Sequence, residues 1–190
     1  EQGGLGVLGD IMSHVADMAH MLVGPNERVV SNRHIFITER PLPIPGKGTH
    51  FSLGQEGDPT GPVTNEDYVG TLVQFANGAQ GSLETCRAIY GPKCEMAFEV
   101  NGTKGSAVAG LREVHTQAAA NTPKPVWNPD IPQPIDFFDA WEKVPNNLEY
   151  DTAFTIQWEE FIRHVALDDP WRYTLRDSAT GDQLAELGLA

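Results

Sequence analysis

The sequence predicts an α+β fold: a predominantly antiparallel or mixed open sheet with helices packed on one face. Two observations carry this. Amphipathic helical periodicities lie near both ends of the chain, and short strands punctuated by turn signals lie between them. The 190 residues, 40% hydrophobic and 21% charged, suffice for one domain with a real core, or at most two small ones. A single domain over residues 1–190 is expected.

The opening stretch, Gly3 to Gly9, is glycine-rich, and a helix is expected from about Asp10 to Val23. Ile11, Val15, Met18, Ala19 and Leu22 fall on one helical face, and Gly24-Pro25 supplies the stop. A strand follows from about Arg28 to Thr38, with β-branched and aromatic residues from His34 onward. Arg40 to Thr64 reads as a long loop, because Pro41, Pro43, Pro45, Pro59 and Pro62 exclude regular structure. A loop of that length implies a role in binding or assembly.

From Glu66 to about Ala109 the pattern predicts consecutive antiparallel strands. They are Asp67 to Phe75, Ala79 to Ile89, Cys94 to Val100, and Ser106 to Val108 after a turn through Asn101-Gly102-Thr103-Lys104-Gly105. Asn101-Gly102 after alternating Met96, Phe98 and Val100 is the strongest hairpin signal. A further short strand is expected from Glu113 to Gln117. Residues 118–147 are Pro-rich and irregular, apart from a short element at Phe137 to Trp141. A second amphipathic helix is expected from about Asp151, its N-cap, to Leu167, with Phe154, Trp158, Phe161, Ile162 and Val165 on its apolar face. A last helix, about Arg176 to Leu189, should bring Ala179, Leu184 and Leu187 to the core.

Charge and composition exclude several classes. Thirteen bases against 26 acids give a formal charge of -13, with no basic cluster for nucleic acid or an anionic lipid surface. Residues 130–160 are acidic around one base, Lys143, and read as a solvated surface. No segment is apolar enough to span a bilayer, and no signal peptide is visible at Glu1-Gln2-Gly3-Gly4. The chain also lacks an initiator Met and is read as a fragment or processed product. Cys86 and Cys94 flank a turn at Tyr90-Gly91-Pro92, where they would either bridge a hairpin or stay reduced. Reduced thiols in the cytoplasm are the expectation.

Gly4-Leu5-Gly6-Val7-Leu8-Gly9 satisfies G-x-G-x-x-G. A dinucleotide turn needs a buried strand just before it, and three residues cannot make one. Asp10 in the first helical turn would also repel a pyrophosphate. The glycines are better read as letting backbone pass close to a neighbour. Asp10 and His14, at i and i+4, share a helical face at the margin of the apolar stripe, with Asp17 a turn further on. A carboxylate beside an imidazole fixes its tautomer and raises its basicity, which suits a general base; the plain reading is a surface pair. Asp10, His14, Asp17 and His20 are also candidate metal ligands, but His20 points away from the others, and no metal site is expected. Cys86 has no neighbour to lower its pKa as a nucleophile, and the sequon Asn101-Gly102-Thr103 is explained by its turn.

The run Gly4 to Asp17, closed by Leu22-Val23-Gly24, resembles the start of the C-terminal domain in the glucose-fructose oxidoreductase and inositol dehydrogenase family. Further matches follow in order: Asn65-Glu66-Asp67-Tyr68-Val69-Gly70, Phe75-Ala76-Asn77-Gly78-Ala79, Gly81-Ser82-Leu83-Glu84, Phe98 to Gly105, Gln157 to Phe161, and Gln183 to Leu187. Residues 110–150 match least. The resemblance implies an NAD(P)-dependent dehydrogenase acting on a sugar, polyol or related secondary alcohol. It also implies a preceding Rossmann domain, absent here, that holds NAD or NADP and a catalytic Lys. Asp10 and His14 match the family's D-x-x-x-H motif, where the His takes the hydroxyl proton and the Asp holds substrate or His.

The chain is therefore expected to be the substrate-binding and oligomerisation half of such an enzyme, inactive alone and without a cofactor site of its own. Its partners would be a small carbohydrate-like substrate and further copies of itself, joined through the open sheet face, where Val69, Val73 and Phe75 alternate with Tyr68 and Leu72. The alternative is a non-catalytic oligomerisation or ligand-binding module with a vestigial Asp-x-x-x-His motif.

Overall fold

The computed structural model describes residues 6–48, 52–91, 94–124, 128–132, 135–146 and 152–187. The first elements are α1 (Val7–Asp10), α2 (Met12–Leu22), β1 (Asn26–His34), β2 (Glu39–Pro41), β3 (Thr60–Pro62), β4 (Tyr68–Phe75) and β5 (Gln80–Cys86). Then come β6 (Phe98–Gly102), β7 (Gly105–Ala109), β8 (Val114–Ala118), β9 (Glu142–Lys143), α3 (Ala153–Leu167) and α4 (Leu175–Leu187). The fold is α+β, as the sequence predicts, with every described ladder antiparallel. The strands sort into three sheets, ordered β1-β4-β5, β2-β3 and β6-β7-β8-β9. Contacts group the chain into two compact units, residues 1–89 with 160–190, and residues 90–159.

In the first unit β4 is the central strand, and its side chains alternate cleanly. Val69, Thr71, Val73 and Phe75 are buried, while Leu72 lies exposed on the opposite face. Helices α1 and α2 cover the buried face and α4 packs against both of them, closing a core around Leu8, Met12, Ala16, Val69, Val73 and Leu184. Each fully buried Leu or Met there contributes about 1.5–3 kcal/mol.

The first helix departs from expectation in two ways. It begins at Val7, inside the glycine-rich stretch, and it divides at Ile11 into α1 and α2. Of the predicted stripe Ala19 is buried and Ile11 and Val15 are partly buried, while Leu22 is exposed; the buried stripe is Leu8, Met12, Ala16 and Ala19, centred about one residue on from the predicted one. Earlier initiation brings Val7 and Leu8 into the core, and the small Ala16 and Ala19 let α2 approach the sheet. One residue is about 100° of rotation, so Asp10 and His14 move from the stripe's margin to roughly the far side of the helix.

β1 stops at His34, short of the predicted Thr38, because the Phe36 and Ile37 N–H groups turn to the Asp67 carboxylate. The expected loop from Arg40 to Thr64 contains a ladder after all, β2 with β3, where Glu39 pairs with Pro62 and Pro41 with Thr60. Proline is tolerated there because both strands are short and unpaired on their other side. In α4 only Leu184 of the three predicted core residues is buried; Ala179 and Leu187 are exposed.

In the second unit the predicted hairpin forms, but Asn101 and Gly102 belong to β6 and pair with Ser106 and Gly105. The turn is Thr103-Lys104. β6 begins at Phe98, four residues after the predicted Cys94, and residues 137–140 form turns. α3 begins where the Thr152 hydroxyl accepts the Thr155 N–H at 3.1 Å; the predicted cap, Asp151, lies outside the described residues. No residue of α3 is buried, so its predicted apolar face is not a core face. Its end is the left-handed Asp168, with φ of 57°. Cys86 and Cys94 are both free thiols.

Candidate functional site

The site is built from the first helical turn outward. Gly6, Val7 and Leu8 open α1, a helix of four residues, too short to satisfy its own leading N–H groups. Glu66, immediately before β4 and only 3% exposed, satisfies them. Its Oε1 accepts the Gly6 N–H at 2.8 Å and the Leu8 N–H at 2.9 Å. Its backbone carbonyl accepts the Val7 N–H at 3.2 Å. A Cβ on Gly6 would lie 2.2 Å from that carbonyl oxygen, so only glycine permits the approach. The carboxylate stands where a nucleotide phosphate would sit at a glycine-rich helix start.

Asp10 ends α1 and His14 lies in the first turn of α2, both exposed. Between them the helical ladder is interrupted. The His14 N–H bonds the Ile11 carbonyl at 3.2 Å, and the Asp10 carbonyl accepts the Ser13 hydroxyl at 3.1 Å. Among the described residues, neither side chain has a hydrogen-bond or ion-pair partner. Both are exposed, and the carboxylate–imidazole bond their spacing suggests is not formed among the described residues. Asp17 is exposed on α2, while the His20 Nε2 is engaged with the Asn26 Oδ1 at 2.6 Å. No group of three potential ligands capable of holding a metal is present among the described residues.

Beside Glu66 stands Asp67, fully buried and turned to a different set of donors. Its Oδ2 accepts the Phe36 and Ile37 N–H groups at 2.9 and 2.8 Å. Its Oδ1 accepts Arg40 at 3.0 Å and Arg87 Nε at 2.8 Å. Burial pushes the carboxyl up, but the Ile37 N–H, Arg87, the Phe36 N–H and Arg40 together outweigh it and hold the pKa at about 2. Arg87 also reaches the Asn65 Oδ1 at 2.9 Å. Glu66, Asp67, Arg40 and Arg87 were not singled out as functional by sequence reasoning. Their signal was two adjacent acids at the entry to a buried strand, where a charge persists only if it is paired.

The described helices include none long and apolar enough to cross a membrane. Residues 1–108 match the family model of the GFO/IDH/MocA C-terminal domain. A D-xylose dehydrogenase of Paenarthrobacter nicotinovorans is 54% identical over 92 residues, 48% of this chain and 24% of that protein. A levoglucosan dehydrogenase of Pseudarthrobacter phenanthrenivorans is 45% identical over 106 residues, 55% of this chain and 27% of that protein. Among solved structures, levoglucosan dehydrogenase in its apo form superposes with a TM-score of 0.74 at 29% identity, over 98% of this chain and 48% of that one. Its complex with NADH and L-sorbose gives 0.71 at 29% identity, over 97% and 47%. The chain spans about half the length of these solved relatives. With more than half its residues under the family model, the chain belongs to the GFO/IDH/MocA C-terminal domain family.

Proposed function

We propose that this chain is the substrate-binding half of an NAD(P)-dependent dehydrogenase that oxidises a sugar, polyol or related secondary alcohol. The observation that carries the reading is the exposed Asp10–His14 pair on a helix start that Glu66 holds in place. The likeness to dehydrogenases of D-xylose and levoglucosan supports the substrate class. The relative solved with NADH supports the cofactor.

The glycine-rich turn does not fit the cofactor's phosphates, since Glu66 already occupies its N–H groups and carries the same sign of charge. NAD or NADP therefore belongs to the part of the enzyme outside this chain, where it would supply the hydride acceptor. This chain supplies the base. A neutral His14 takes the hydroxyl proton as hydride leaves the same carbon, so the alcohol becomes a carbonyl and the imidazole becomes cationic. Asp10, not bonded to the imidazole, would accept a hydrogen bond from a substrate hydroxyl.

The test is His14→Ala in the full-length enzyme. Cofactor binding should be unchanged and turnover should fall by about 10²–10⁴. Asp10→Asn should damage turnover less than His14→Ala does. Wild-type turnover in His14→Ala between about pH 6 and 9 would return the chain to a non-catalytic module.

The reading includes self-association through the outer face of the β1-β4-β5 sheet. Val30 and Leu72 pair across the strands there, 71% and 66% exposed, flanked by Arg28, Gln74, Gln80 and Ser82. The helices cover only the opposite face, and an apolar strip of this kind is stabilised by a second copy.

A further inference from the structure

We propose that Glu66 is the positioning residue of the Asp10–His14 site, an inference that rests on the functional reading above. The geometry is a continuous path of hydrogen bonds. Glu66 holds the N–H groups of Gly6, Val7 and Leu8. The Gly6 and Val7 carbonyls in turn accept the N–H groups of Asp10 at 3.1 Å and Ile11 at 3.0 Å. The Ile11 carbonyl then accepts the His14 N–H. A helix of one turn has only the Asp10 and Ile11 ladder bonds of its own to resist displacement. Where α1 lies, and so where Asp10 and His14 begin, is set by Glu66, through two bonds to its carboxylate and one to its backbone carbonyl, rather than by helix propensity.

The support beneath Glu66 is rigid. The next residue is Asp67, whose N–H donates to the His34 carbonyl at 2.9 Å and whose carboxylate ties Phe36, Ile37, Arg40 and Arg87 to the same point. Two consecutive acids therefore serve opposite sides: Asp67 fastens the end of the sheet, and Glu66 transmits that position to the helix start. A negative group at a helix N-terminus is also favoured by the helix dipole. A base displaced by about 1 Å loses on the order of 10² in rate. The Glu66 carboxylate holds Gly6, whose carbonyl accepts the Asp10 N–H, and Leu8 in the same turn, so it bears on turnover by fixing the turn that leads into His14, without touching substrate.

The experiment is a cycle of variants in the full-length dehydrogenase, with turnover expressed per folded molecule. Glu66→Ala should lower kcat by about 10- to 100-fold. The KM for the nicotinamide cofactor should stay within about twofold of wild type, since Glu66 acts through His14. Glu66→Gln keeps an oxygen for the same two N–H groups and should restore kcat to within about threefold. Added to His14→Ala, the Glu66→Ala change should cause no further loss, because the group it positions is gone. Equal losses on the wild-type and His14→Ala backgrounds, or wild-type turnover per folded molecule in Glu66→Ala, would overturn the proposal while leaving the function intact. Where Glu66→Ala does not fold, the same cycle is read on Glu66→Asp, which keeps a carboxylate but withdraws it by about one bond, ~1.5 Å. Full turnover in His14→Ala alone would overturn the functional reading, and this proposal with it.

Discussion

Asp67 is a buried carboxylate that keeps its charge because four donors meet its two oxygens. Its pKa, lowered from 3.8 to about 2, makes it a contributor to stability with a defined pH window. A depressed carboxyl stabilises the fold above its unfolded pKa, and that stability is lost as pH falls from about 4 to about 2. The shift corresponds to something on the order of 2 kcal/mol. Asp67→Asn should cost about 3 kcal/mol at neutral pH, the low end for an opened buried pair because both arginines reach solvent. Urea unfolding at several pH values should show the acid slope flattened in the variant; an unchanged slope would mean other acids carry it. The adjacent acids Glu66 and Asp67 before a buried strand hint that this residue is paired, but not with what, since its partners lie 20 to 31 positions away. The i, i+4 spacing of Asp10 and His14, by contrast, is visible in the sequence, though the role proposed for them comes from the family resemblance.

At the level of elements, two glycines make opposite claims on the chain. Gly6 carries no Cβ because one would stand 2.2 Å from the Glu66 oxygen and 2.9 Å from its nitrogen, both backbone atoms that cannot swing aside. Gly6→Ala should destabilise by about 3 kcal/mol, the upper range for overpacking, and should loosen α1. Gly181 lies within α4, and a Cβ there meets nothing within 4 Å. Gly181→Ala should stabilise by about 0.5–1 kcal/mol through helix propensity. Thermal melts of the two variants should move in opposite directions; a rise for Gly6→Ala would contradict the close approach. The start of α4 was open to sequence reading as a capping box, because Thr174 and Asp177 exchange bonds across three residues. The start of α1 was not, because its cap comes from Glu66.

At the scale of the whole molecule, the proposed self-association surface is the outer sheet face, and the force opposing it is charge. Each copy carries a formal charge of -13, which repels a second copy at low ionic strength. Association driven by Val30 and Leu72 should therefore tighten as salt is added, the reverse of an ion-pair interface. Leu72→Lys should shift sedimentation toward monomer without loss of folded structure, since Leu72 lies outside the core. A stable monomer in wild type at tens of micromolar, in high salt, would remove this surface from the account. Alternation along β4 made both faces legible beforehand, because a strand assigns its residues to two sides with period two.

By itself the sequence determined the order of the elements, the antiparallel strand run, the Asp10–His14 spacing and the family resemblance. These depend on repeats and turns within a few residues, where backbone geometry leaves little choice. Tertiary structure alone decided which stripe of α2 is buried, that β2 and β3 pair across a proline-rich segment, and that α3 keeps its apolar residues exposed. It also decided that the glycine-rich turn is closed by Glu66, across separations of 58 and 60 residues. Periodicity shows that a helix has an apolar stripe, but the start of the helix sets where that stripe points, and here a distant carboxylate sets the start.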